Sequence, residues 1–342
     1  MNKKILFSTI GILFLLGGIV GYNYYQKIYG ANVTQSGFLY IKSQDSKNSL
    51  LKELPEFVKD LEDFNWVAEL KKFQTVKPGR YKLTEGMSNN DLVNLLRSGQ
   101  QTPIKVSFNN QDTLEDLAGR ISEQIEADSI SLLKAFTNDQ FLSERKINTK
   151  QVLSYFIPNT YEFYWTISAE KFRDRMIKEY DRFWTKERRA KAKALNMTPD
   201  EVITLASIVY KETPKAVEQP RVAGLYLNRI KKGMPLQADP TIIYMLKQQN
   251  GQDYVVKRVL YKDLEIKSPY NTYLNRGLPP SLIAMPDISA IDAVLNYERH
   301  DYLYMCVNVD KFGYHAFASS LKQHNRNARK YQNWLNQQGI NR

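Results

Sequence analysis

The stretch TPDEVITLASIVYKETP, residues 198–214, carries the start, body and stop of one helix. Thr198-Pro199-Asp200-Glu201 reads as a capping box with proline at the first helical position. Pro214 steers Thr213 away from helical geometry, so the helix is predicted to end at about Glu212. Leu205, Ile208, Val209 and Glu212 fall at i, i+3, i+4 and i+7, a single stripe that should face the core. A carboxylate does not belong on that stripe. In the last turn of a helix, unpaired carbonyls and the negative end of the dipole disfavour its charged form, and burial acts the same way. Both raise the carboxyl pKa, as a general acid working near neutral pH requires. Lys211 diverges from its sequence neighbour on a helix and need not neutralise it. The competing reading turns Glu212 out to solvent or pairs it with Arg221 or Arg229, and spacing alone does not choose between the two.

Outward from this helix, TLEDLAGRISEQI (113–125) and the long SAEKFRDRMIKEYDRFWTKERRAKAKAL (168–195) are patterned as amphipathic helices. The aromatic run FIPNTYEFYW (156–165) lies between them, and another helix is expected from about Ala216 to Lys232. From Gly233 onward the chain turns to proline, glycine and short β-rich runs, such as YLYMCVNV (302–309) before a turn into YHAFA (314–318). Residues 29–105 alternate short apolar runs with turns. GFLYIKS (37–43) reads as a strand, SKNSLLKELPEF (46–57) as a helix, VKPGRYKL (76–83) as a turn into a strand, and SNNDLVNLLRSG (88–99) as a helix capped by Ser88 and stopped at Gly99. Such a small mixed module suits binding or spacing better than catalysis. No internal repeat is present. The class is α+β, with a segment 1–28, a small α/β module over 29–105 and a larger mixed domain with a helical lobe over 106–342.

The first segment is membrane-like. Lys3 and Lys4 precede an uncharged run of 22 residues, Ile5 to Gln26, and at 1.5 Å per residue it is long enough to cross a hydrocarbon core of about 30 Å. The positive-inside rule keeps the N-terminus in the cytoplasm and exports the rest of the chain, and Tyr22, Tyr24 and Tyr25 suit an interfacial aromatic belt. GYNYYQ offers no small-residue cleavage site, which favours an uncleaved, single-pass anchor over a signal peptide. Chemistry outside the cytoplasmic membrane would have neither ATP nor nicotinamide at hand, and no Gly-rich phosphate loop is present; no cofactor is expected.

Of the chain's 342 residues, 48 Lys and Arg face 36 Asp and Glu, a net charge of +12. That balance suits an anionic membrane surface, an anionic polymer or nucleic acid. The densest run, Lys186 to Lys193, reads more readily as a solvated helix face. No recognition helix, zinc knuckle or RNA-binding aromatic motif supports nucleic acid as a partner. Cys306, the sole cysteine, excludes an intrachain disulfide, and with only His300, His315 and His324 beside it no metal site is expected.

LASIVYKET, VAGLYLNRIKKGMPLQADPTIIY, YNTYLNRGLPPSLIAMP and YLYMCVN…GYHAFASSLKQHN, in this order, resemble the YceG (MltG) family of endolytic murein transglycosylases, as do KPGRYKL with the helix after it and FIPNTY. The resemblance covers roughly residues 75–330. It implies a LysM-like module ahead of a catalytic domain, a location on the outer side of the bacterial cytoplasmic membrane, and peptidoglycan glycan strands as the partner, with cell-wall synthases as further candidates. It implies a lytic cleavage of MurNAc–GlcNAc bonds in nascent strands, leaving 1,6-anhydro ends and terminating elongation. The family's catalytic glutamate lies in an E-x-E-like segment; Tyr210 replaces the first acid here, so Glu212 carries the role. Asn159 stands where the FPDTY-like motif usually has Asp, and Leu153-Ser154 where Glu-Gly is usual. Around Glu212 the matching motifs suggest Asn228, Arg229, Gln237, Asp239, Thr241, Tyr270, Asn271, Thr272, Tyr273 and His315 as substrate contacts. Each of these also reads as loop or turn architecture. A second carboxylate, Asp239, near Glu212 would permit ordinary hydrolysis, and a non-catalytic wall-binding scaffold is the third reading.

Overall fold

The computed structural model describes residues 3–338, and the chain falls into two compact units. Residues 1–2 of the expected anchor and 339–342 of the expected third segment lie outside the described residues. The first unit comprises Met1–Val106, Ser122–Ala127 and Tyr161–Ser168; the second comprises Ser107–Ile121, Asp128–Thr160 and Ala169–Arg342.

In the first unit, helix α1 (Lys3–Tyr29) leads into strand β1 (Gly37–Ile41), helices α2 (Lys47–Glu53) and α3 (Leu61–Leu70), strand β2 (Gly79–Leu83) and helix α4 (Asn89–Ser98). β1 and β2 pair antiparallel, from Gly37 opposite Leu83 to Ile41 opposite Gly79. Alternation points Leu39, Ile41, Tyr81 and Leu83 inward, where they meet Phe64 and Val67 of α3 and Leu92, Val93 and Leu96 of α4. Ser88 caps α4, and Gly99 ends it in the left-handed region at φ 73°, both as the sequence predicts. Among the described residues, α1 is the one helix long and apolar enough to cross a membrane. Its last turns nevertheless rest on this unit: the Tyr24 ring stacks on Trp66 at 5.3 Å, Lys27 pairs with Asp63 at 2.5 Å, and Asn89 donates to the Lys27 carbonyl at 2.9 Å. Of Tyr22, Tyr24 and Tyr25, expected at a membrane interface, Tyr24 is engaged in a protein contact instead.

Strand β3 (Ile104–Phe108), helices α5 (Leu114–Ser122), α6 (Ser129–Phe136) and α7 (Asp139–Arg145) and strand β4 (Asn159–Phe163) come next. The long amphipathic run of 168–195 is two helices, α8 (Ala169–Phe183) and α9 (Lys186–Ala194). Trp184 drives into the core between them, and Thr185 restarts the chain by accepting the Arg188 N–H. The predicted central helix is α10 (Pro199–Glu212), with its capping box of Thr198 and Glu201 and its C-cap at Thr213. It carries more than one apolar stripe: Val202 through Val209 are all buried, because α11 (Gln219–Lys231), α12 (Asp239–Asn250) and α13 (Ile288–Leu295) pack around it. The Ser207 hydroxyl is satisfied there, donating to the Thr204 carbonyl at 2.7 Å and accepting the Ile283 N–H at 3.1 Å.

The tail beyond Gly233 is more helical than its composition suggests. Besides α12 and α13 it forms α14 (Leu321–Gln337), which packs on an antiparallel pair, β5 (Tyr304–Val307) and β6 (His315–Ala318). Asp287 and Ser320 are ordinary N-caps for α13 and α14. Prolines and glycines nearby obscure these signals in the sequence. Asp239 and Thr241, expected in a loop, sit in the first turn of α12.

Candidate active site

The end of α10 brings Glu212 against α11, β6 and the start of α12. Its carboxyl Oε1 accepts a hydrogen bond from the Tyr226 hydroxyl at 2.5 Å. The side chain keeps a rim of accessible surface, yet its neighbours enclose it closely enough that burial is the largest influence on its proton affinity. Burial raises the Glu212 pKa and nearby Asp239 adds to the rise; the Tyr226 hydrogen bond and the charges of His315 and Arg229 oppose it, leaving the carboxyl above its usual range. Neither solvent exposure nor a pairing with Arg221 describes this residue: Arg221 is engaged by Glu298 at 3.0 Å.

His315, on β6, is held from behind. Glu218, only 4% exposed, accepts the His315 backbone N–H on Oε1 at 2.7 Å and the ring Nδ1 on Oε2 at 2.9 Å. A ring nitrogen facing a carboxylate oxygen must be the protonated one. Burial alone lowers the His315 pKa, but the Glu218 hydrogen bond and the carboxylates of Glu218 and Glu212 raise it above the ordinary imidazole value. Burial likewise raises Glu218, and His315's ring and backbone donors outweigh it and hold the carboxyl low. The pair favours the protonated form of the imidazole beside the Glu212 site. Glu218 and Tyr226 are the two residues here that sequence reasoning missed. Tyr226 follows Val222 by four and precedes Arg229 by three on the buried face of α11, so it reads as ordinary core; its hydroxyl was the available signal.

The other suggested contacts divide into two groups. Asn228 donates to the carbonyls of His300 and Tyr302 at 2.7 and 3.1 Å. Arg229, buried, donates to the carbonyls of Leu303 at 2.6 Å and Leu236 at 2.8 Å, while its charge still reaches Glu212. Thr241 and Thr272 join hydroxyls at 2.9 Å. Asn271 donates to the carbonyls of Leu264 and Ile266 at 2.9 and 2.8 Å, and Tyr270 meets Ser281 at 2.6 Å. These residues, all buried except the half-buried Asn228, hold α11, α12 and the YNTY loop in place. Gln237 and Asp239 are exposed and Tyr273 is half-buried; the Tyr273 hydroxyl donates to Asp239 Oδ1, and both residues influence the electrostatics around Glu212. Gln237 holds a left-handed φ of 49° without being glycine, a strained backbone of the kind found at sites.

One spacious groove of the second unit does not contain Glu212. It encloses about 1450 Å³, open solvent included, between Asp112, Glu115, Lys150, Tyr244 and Gln252. A neighbouring recess shares Asp112, Tyr244 and Gln252 and adds Lys211 and Pro240, which precede Glu212 and follow Asp239 in the chain.

The sequence model of the YceG-like family matches residues 39–330. The endolytic murein transglycosylase of Bacillus subtilis is 29% identical over 299 residues, covering 83% of this chain and 80% of that protein. That of Streptococcus pneumoniae (strain D39) is 26% identical over 332 residues, covering 89% of this chain; the chain spans only 57% of that longer protein. The crystal structure of a yceG-like protein from Listeria monocytogenes superposes with a TM-score of 0.56 at 28% identity, over 85% of this chain and 98% of that one. Matched along most of its length by the family's sequence pattern and by a solved structure, the chain belongs to the YceG-like family.

Proposed function

We propose that the protein is an endolytic peptidoglycan lytic transglycosylase in which Glu212 is the catalytic acid and base. The observation that carries this reading is the Glu212 carboxyl itself, partly enclosed at a helix end with its proton affinity raised, within a chain whose curated relatives are named endolytic murein transglycosylases. Neutral Glu212 protonates the glycosidic oxygen as the MurNAc–GlcNAc bond breaks. The muramic C6 hydroxyl attacks its own anomeric carbon, and the Glu212 carboxylate takes the hydroxyl proton, which restores the acid and leaves a 1,6-anhydro end. No water is consumed, and the intramolecular attack has an entropic advantage. One carboxyl therefore suffices where hydrolysis uses two. Imidazolium His315 stabilises the transient carboxylate. Gln237, Asp239, Tyr273 and His315 contact sugar, whereas Asn228, Arg229, Thr241, Tyr270, Asn271 and Thr272 shape the site behind them.

The remaining parts fit the same reading. Helix α1 is a single-pass anchor that places both units on the outer side of the cytoplasmic membrane. Residues 29–105 act as a LysM-like glycan-holding module; the strand–helix–helix–strand order of β1, α2, α3 and β2 supports it. The substrate is nascent glycan, cut within the strand so that elongation ends, with cell-wall synthases as neighbours. Glu212→Gln keeps size and polarity and is expected to lower glycan cleavage by about 100- to 10,000-fold without loss of folding. Mass spectrometry of wild-type digests is expected to show anhydro-muropeptides. Reducing ends instead would make the enzyme a hydrolase using Glu212 and Asp239, and an unimpaired Glu212→Gln phenotype in cells would leave a wall-binding scaffold.

A further inference from the structure

Tyr226 sits at the centre of the site with a single job visible in its contacts. Its side chain is 1% exposed, and among the described residues its hydroxyl has one hydrogen-bond partner, Glu212 Oε1 at 2.5 Å. Among the same residues, Oε2 of that carboxyl makes no hydrogen bond, and it is not one of the enclosed, unpartnered atoms. The two oxygens of Glu212 are therefore unequal: one is pinned from the core and the other faces outward. A buried phenol spared only for packing would have served as well without its oxygen.

We propose that Tyr226 is a positioning residue that fixes Glu212 through Oε1, so that Oε2 alone delivers and recovers the working proton, and that this hydrogen bond sets how readily the proton leaves. This rests on Glu212 being the acid and base of the proposed reaction. An O–H donor binds a carboxylate more strongly than a neutral acid, so Tyr226 strengthens the acid that burial weakens. It also holds the carboxyl's plane, which keeps Oε2 within reach of both the leaving oxygen and the incoming hydroxyl. The phenol does not relay the proton, because it is enclosed and among the described residues its hydroxyl has no second partner from which to take one.

Tyr226→Phe in the full-length protein removes only the oxygen. Turnover on isolated glycan is expected to fall at least about tenfold at pH 7, the effect of losing one hydrogen bond to a charged group, with KM little changed. The alkaline limb of the pH–rate profile, where Glu212 loses its proton, is expected to move up by about one unit or more. A 13C-NMR titration of the Glu212 carboxyl, identified by its disappearance in Glu212→Gln, is expected to move the same way without substrate. Incorporating 3-fluorotyrosine at position 226, a more acidic donor, is expected to move that titration down while preserving the packing. A folded Tyr226→Phe enzyme whose pH limb and carboxyl titration match the wild type overturns the proposal, as does an unmoved titration in the fluorotyrosine protein. If instead Glu212→Gln stays active, the proposed reaction fails, and the titrations still report on the Tyr226–Glu212 coupling.

Discussion

Replacing Glu218 with Gln separates two effects that the His315 pair combines. The Glu218 side chain is 3% exposed and that of His315 18%, so water screens the pair little. The amide retains one oxygen for an N–H of His315, but its NH2 meets the second donor, and the imidazolium loses its counter-charge. Removing one partner of a buried pair costs about 3–5 kcal/mol; the retained acceptor places this change near the lower end, about 3 kcal/mol. For a unit of this size that corresponds to a melting temperature lower by about 6–12 °C. The pH dependence is diagnostic. The Glu218 pKa is depressed below 4.5, so its contribution is complete above the unfolded value and is lost as pH falls through the folded one. The His315 pKa is raised above 6.5, so its contribution is complete below the unfolded value and is lost as pH rises through the folded one. Both are present together between about pH 4.5 and 6.5. Thermal unfolding of wild-type and Glu218→Gln protein in detergent, followed from pH 3 to 9, is expected to show the largest difference inside that window and a smaller one on either side. A difference that stays constant with pH would refute the ion pair as the source of stability.

Gly224 tests packing against propensity. Alanine in a helix interior is favoured over glycine by about 1 kcal/mol, but a Cβ at Gly224 would lie 2.3 Å from the Glu298 carbonyl oxygen and 2.8 Å from His300 Nε2. Gly224→Ala is therefore expected to destabilise by about 2 kcal/mol or more, measured by urea unfolding; any gain in stability contradicts the close approach of α11 to that backbone. Removing residues 1–21 is expected to give a soluble protein that melts higher than one lacking residues 1–28. The longer cut discards the Tyr24–Trp66 stack, the Lys27–Asp63 pair and the Asn89 contact with the Lys27 carbonyl. Equal melting temperatures would show that the end of α1 contributes nothing to the first unit.

Local signals in the sequence were legible where one residue determines one feature. Thr198, Glu201 and Pro214 bracket α10 to the residue, and Ser88 and Gly99 do so for α4. Glu212 was legible as an anomaly because a carboxylate interrupts an otherwise apolar pattern. What periodicity could not show is where a pattern breaks without a proline. The run through Trp184 stays amphipathic while the chain bends there, since the break is set by what Trp184 packs into. The same limit hid Tyr226 and Glu218. One looks like core and the other like a surface acid until folding brings α11 beside the end of α10 and β6 beside the start of α11.

Amides and hydroxyls in the matching motifs suggested sugar contacts, and burial decides which of them are available for that. An amide can satisfy a sugar hydroxyl or a stray backbone carbonyl, but a fully enclosed one cannot do the first. Asn271 and Thr272 are 0% and 1% exposed, and the carbonyls of Leu264 and Ile266 already occupy the Asn271 amide. Leaving those backbone groups unpaired would cost about 1–3 kcal/mol each, so the side chains are committed to the loop before any ligand arrives. That commitment makes the outward residues effective. Thr272 accepts the Ala238 N–H at 3.1 Å, and its carbonyl accepts the Gln237 N–H at 3.0 Å, fixing the chain on either side of the strained Gln237 and delivering Asp239 to the Tyr273 hydroxyl. Motif residues of one chemical type thus divide between two tasks, and those buried at the back hold in place Gln237, Asp239 and Tyr273, the residues proposed to meet the glycan strand.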